Sequence, residues 1–118
     1  MTYEVITRAK DVGELKWWGF KQNNSGGYFI QNGAVDELVF IQARSFAEAM
    51  NISNKIFEDN SDYCECCGPR WSISDEKEGS LEPEMFGEPL ESFKFYSKNG
   101  AAILHYHNGS AVRYTKEV

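Results

Sequence analysis

Apolar residues along the chain fall into short runs separated by turn-forming clusters, with one interval of helical spacing among them. Leu15 to Gln22, with Trp17, Trp18 and Phe20, predicts a strand; Asn23-Asn24-Ser25-Gly26-Gly27 predicts a turn into a second run, Tyr28-Phe29-Ile30, so that the two form a hairpin. After a further turn at Asn32-Gly33, the unbroken run Leu38-Val39-Phe40-Ile41 predicts a buried, central strand. A helix follows. Ser45 is a good N-cap with Glu48 three positions on, and Phe46, Ala49, Met50, Ile56 and Phe57 recur at helical spacing until Asn60 and Ser61. Residues 1–14 hold only a brief alternation, Tyr3 and Val5, which fits an edge strand or a tail equally.

Trp71-Ser72-Ile73 predicts a short strand, and the segment 75–91, interrupted by Gly79, Pro83, Gly87 and Pro89, predicts an exposed loop. Beyond it, three alternating runs are joined by Asn99-Gly100 and Asn108-Gly109, the pairs that suit turns needing positive φ. They predict a three-stranded antiparallel meander over Phe93–Ser97, Ala101–His107 and Ser110–Lys116. With two-residue turns His107 pairs with Ser110 and His105 with Val112. One face then carries Phe93, Phe95, Ala102, Leu104, Tyr106 and Ala111; the other carries Lys94, Tyr96, Lys98, Ile103, His105, His107, Val112 and Tyr114. The sum is a single α+β domain over residues 1–118: an antiparallel sheet, one main helix packed on it and a C-terminal meander. The sequence contains no internal repeat.

Composition agrees with one folded domain: 118 residues, 42% hydrophobic and 14% aromatic. The net charge of -6 is local. Seven acids (Asp75, Glu76, Glu78, Glu82, Glu84, Glu88, Glu91) face only Lys77 within 75–91, which leaves 11 acids and 11 bases elsewhere. Such a chain lacks the positive field for general nucleic-acid binding. No stretch approaches the roughly 20 apolar residues of a membrane span, and three cysteines within four positions do not make a secreted disulfide framework. The expectation is a reduced, cytosolic protein.

Candidate chemistry concentrates in Tyr63-Cys64-Glu65-Cys66-Cys67-Gly68-Pro69-Arg70-Trp71. Cys64 and Cys67 have zinc-knuckle spacing, Cys66 is a third thiolate, and His105 could complete a Cys3His tetrahedron, although the histidines lie some forty residues away and a conventional site has two separated pairs. The alternative is that the cysteines are small residues filling a tight turn, with no cofactor. A nucleophilic cysteine is disfavoured, since Asp62 and Glu65 oppose the pKa depression that Arg70 would supply. Arg70, Trp71, Tyr96 and His107 form a second candidate set, because arginine with aromatic platforms can hold a phosphate and stack a base. The acidic segment could instead dock on a basic partner, or simply be solvated.

The order of an apolar strand, a Phe46-Ala47-Glu48-Ala49 helix, Cys64-x-Cys66-Cys67-Gly68-x-Arg70-Trp71, and a His105-Tyr106 strand followed by Asn108-Gly109 resembles small tailed-bacteriophage proteins with a CxCCGxRW motif. The resemblance covers residues 38–112 and brings no established activity. It implies a phage accessory product in the bacterial host cytoplasm, acting by binding a host protein or a small nucleotide signalling molecule, in host takeover or anti-defence. A zinc-stabilised nucleic-acid or protein adaptor is one alternative; a small hydrolase or thiol enzyme is another. Against an enzyme, no nucleophile, base and orienting acid form a recognisable arrangement in the sequence.

Overall fold

The computed structural model describes residues 14–23, 29–58, 70–73, 78–96 and 100–115. It is an α+β fold around a five-stranded mixed sheet of order β3-β1-β2-β6-β7, with β1 at Lys16–Gln22, β2 at Leu38–Ala43, β3 at Trp71–Ile73, β6 at Ala102–His105 and β7 at Ala111–Tyr114. A two-stranded hairpin, β4 (Glu84–Met85) and β5 (Glu88–Pro89), is followed by a 3-10 turn, Leu90–Ser92. The one α-helix among the described residues, α1, spans Phe46–Glu58.

The run Leu38–Ile41 of the central strand β2 is apolar without interruption because both its faces are covered. On one face Val39 and Ile41 join Trp18, Phe20, Val35 and Ala43 beneath α1, which contributes Ala49, Phe46, Met50, Ile52, Ile56 and Phe57. On the other, Leu38 and Phe40 join Trp17, Ala102 and Leu104 beneath the hairpin, which contributes Met85 with Leu90 beside it. The helix starts as its cap residues dictate: Ser45 Oγ accepts the Glu48 N–H at 3.1 Å, while Glu48 Oε1 accepts the Arg44 N–H at 2.7 Å.

Three expectations are corrected. The sheet is not purely antiparallel, because β2 and β6 run parallel with Leu38 opposite Ala102 and Ile41 opposite His105. Second, β1 does not form a hairpin with Phe29 and Ile30, the described part of the Tyr28–Ile30 run: its two edges pair with β2 and β3. Phe29 and Ile30 lie outside any strand, and the Ile30 backbone is held instead by the Gln22 side chain, which accepts its N–H at 2.6 Å and donates to its carbonyl at 3.1 Å. Third, the meander has two strands. With β2 on one edge of β6 and β7 on the other, no edge is left for Phe93–Tyr96.

The register of that last pair also shifts by one. Tyr106 N–H donates to Ser110 O at 2.8 Å across a three-residue loop, His107-Asn108-Gly109, in which Gly109 takes φ 97°. His105 therefore faces Ala111 and Leu104 faces Val112. This slip moves Val112 and Tyr114 to the face of Ala102 and Leu104, and Tyr114 packs against that core.

The segment 78–91 has its own folded part. Its described acids remain at the surface, but Met85 and Leu90 are buried and Ser80 exchanges two backbone hydrogen bonds with Trp17, at 2.7 and 3.0 Å. Gly19 lets the hairpin come this close: a Cβ there would lie 2.9 Å from the Glu84 carbonyl oxygen and 2.9 Å from Phe40 Cε1. Gly19→Ala is accordingly expected to lower stability by about 1–3 kcal/mol through overpacking and to shift the backbone resonances of residues 84–90. Urea unfolding read beside amide NMR spectra checks this; an unchanged midpoint with unchanged hairpin resonances would contradict it.

Candidate functional site

Arg70 is 2% exposed, and its guanidinium faces inward. Nη1 donates to Gln22 Oε1 at 3.2 Å and to the Asn23 carbonyl at 3.1 Å, while the Arg70 carbonyl accepts the Asn23 N–H at 2.6 Å. Gln22, itself fully buried, makes four hydrogen bonds with its amide, the fourth from Nε2 to the Asp36 carbonyl at 2.9 Å. The buried Asp36 carboxylate accepts the N–H groups of Glu37 (2.7 Å) and Ala101 (3.1 Å) on Oδ1, with Gln31 Nε2 at 3.1 Å, and Arg113 Nη2 on Oδ2 at 2.6 Å. The neighbouring Glu37, also buried, accepts the Tyr96 N–H on Oε2 at 2.6 Å.

This network positions a pocket of 390 Å³ lined by Lys21, Glu37, Phe93, Lys94, Phe95 and Tyr96. Lys21 is half-buried at the end of β1 and Lys94 is exposed; neither ammonium has an ion-pair partner among the described residues. Tyr96 is 74% exposed, with its ring edge against Phe29 at a centroid distance of 6.0 Å. Phe93 and Phe95 meet edge to face at 5.5 Å and form the apolar floor. Two cations against one buried carboxylate leave a net positive lining in a chain of charge -6. The volume suits a small-molecule ligand.

The other sequence-predicted residues lie elsewhere. Trp71, on β3, stacks on Phe57 of α1 at 4.4 Å and closes the helix-side core. His107 donates its N–H to Gln42 Oε1 at 3.1 Å and places Nε2 3.1 Å from Glu48 Oε2. His105 Nε2 lies 2.7 Å from the Ala34 carbonyl, so that nitrogen carries the proton. Cys64, Cys66 and Cys67 lie outside the described residues, as do residues 1–13. Among the described residues no group of three His, Cys, Asp or Glu side chains is arranged to hold a metal ion, and no helix is long and apolar enough to cross a membrane. Of the candidate ligand set, then, only Tyr96 lines the pocket. The other lining residues, Lys21, Glu37, Phe93, Lys94 and Phe95, are not among the sequence-predicted candidates. The Lys94–Tyr96 alternation was a signal for one pair, but nothing local marked Lys21.

Residues 15–118 match a family described as a domain of unknown function, DUF7296. The chain belongs to the DUF7296 family. No curated protein and no solved structure matches it. The matched span contains the whole DUF7296 sheet, the helix, the pocket and the cysteine stretch.

Within this DUF7296 domain the Arg44 N–H, and secondarily His107, hold the Glu48 carboxyl below its ordinary value. A lowered folded-state value contributes stability that is present above the unfolded carboxyl's titration and lost as pH falls through the folded one. Both partners are partly solvated, so the gain is at most about 1 kcal/mol. Glu48→Gln is expected to be slightly less stable than the parent at pH 7, with the difference vanishing in acid below the titration of Glu48. Thermal unfolding of both chains across that range measures it, and a difference that grows on acidification would contradict the assignment.

Proposed function

We propose that this domain is a non-enzymatic binding protein that holds a small nucleotide-like anion in the Lys21–Lys94–Tyr96 pocket. The observation that carries the reading is a pair of lysines, without ion-pair partners among the described residues, beside an exposed tyrosine ring in a protein whose overall charge repels anions. Lysines can take phosphate oxygens and Tyr96 can stack on a base. A nucleotide has both features. The two histidines point to other partners, Ala34 and Glu48, which favours holding over turnover.

Its setting follows from the resemblance to tailed-phage proteins: an accessory product in the bacterial host cytoplasm that binds a signalling nucleotide, in host takeover or anti-defence. Arg70 then acts at one remove, by fixing Gln22 next to Lys21.

Calorimetric titration of the full chain with ATP, a cyclic dinucleotide and inorganic phosphate tests the reading. At least one nucleotide should bind in the micromolar range and phosphate alone much more weakly. Lys21→Ala or Lys94→Ala should weaken the nucleotide by about tenfold or more, the scale of one lost charge-assisted hydrogen bond. No binding by either nucleotide, or binding that both alanine variants retain, would contradict it.

A further inference from the structure

The β4–β5 hairpin is anchored from below and unusually dressed above. Met85 and Leu90 sink into the core with Trp17, Leu38 and Phe40. Outside, Leu81 is 65% exposed and Phe86 is 55% exposed. Leu81 also lines a groove of 380 Å³ with Glu82, Glu84, Pro89 and Glu91.

Phe86 occupies the first central position of the Met85–Glu88 turn with φ 53°, followed by Gly87 at φ 83°. Both positive angles are those of a type I′ turn, whose first central position suits asparagine, aspartate or glycine. A phenylalanine there is strained, and more than half of its surface is open to solvent. Around this apolar crest stand Glu82, Glu84, Glu88 and Glu91, none with an ion-pair partner among the described residues. No three of these carboxylates are arranged to hold a cation.

We infer that this face is a docking surface for a basic, amphipathic polypeptide segment of a partner protein. Exposed apolar side chains framed by uncompensated carboxylates match a segment that offers apolar anchors between lysines or arginines. Nucleic acid has the wrong sign. A second copy of the chain would set four carboxylates against four more. The surface is separate in composition from the lysine pocket and does not rest on it.

The test uses the full chain, a fluorescent amphipathic Lys/Leu peptide and an oligolysine of equal charge, with anisotropy read at low and moderate salt. The Lys/Leu peptide should bind at least tenfold tighter than oligolysine and weaken as salt rises. Phe86→Asn, which suits the turn, should keep or raise the unfolding midpoint while weakening the Lys/Leu peptide about tenfold. Equal binding of the two peptides, unchanged affinity in Phe86→Asn, or a lowered midpoint in that variant would each overturn the proposal. So would self-association in sedimentation that Phe86→Asn abolishes, since the occupant would then be a second copy.

Discussion

The sheet begins at a buried polar seam, and the rest of the fold depends on its being fully satisfied. Asp36 stands two residues before β2, and its Oδ1 accepts the N–H groups of Glu37 and Ala101, which lead into β2 and β6. One carboxylate therefore ties the starts of the two parallel strands together and fixes Leu38 opposite Ala102. Arg113 reaches the other oxygen from β7. Gln22 does the same for the opposite half, joining the end of β1 to Ile30, Asp36 and Arg70. An unpartnered buried amide or carboxylate would cost several kcal/mol on the order of its desolvation. A network with every position filled rigidifies the surrounding backbone instead.

That rigidity reaches the pocket through Glu37 and Lys21. Glu37 holds the Tyr96 N–H and so fixes the 93–96 segment against the core, although that segment belongs to no strand. Lys21 precedes Gln22 on β1, and its side chain emerges on the hairpin side, the face of Trp17 and Gly19. Placing cations and an aromatic ring on so well-determined a frame lowers the ordering cost of ligand capture. The hairpin face is a different case: Phe86 holds a positive φ that a phenylalanine rarely adopts, and such strain invites a functional reason.

Much of the element content was legible locally. The β1 and β2 runs, the Ser45-capped helix, Trp71–Ile73 and the last two strands all follow from periodicity and cap chemistry. Pairing was not, because β6 finds β2 across a long intervening segment, and no local pattern distinguishes a strand that joins a meander from one that adds in parallel. The Asn108-Gly109 pair marked the right turn, but Asn108 Oδ1 accepts the Ser110 N–H and the loop has three residues, which flips β7. No local pattern marks Asp36 and Glu37 for burial; it makes sense only through partners 59 to 77 positions away. Met85 was hidden among acids in the same way. Of the site, Tyr96 was legible and Lys21 was not, since Lys21 gains its role from a segment more than seventy residues further on.

Amide hydrogen exchange of the intact chain measures the seam most directly. The N–H groups of Ile30, Glu37, Tyr96 and Ala101 lie outside every strand, yet each donates to a buried side-chain oxygen of Gln22, Asp36 or Glu37. If the seam holds the sheet together, all four should exchange as slowly as amides in the middle of β2, opening only with global unfolding. Exchange at the rate of exposed loop amides, with β2 still protected, would contradict that account.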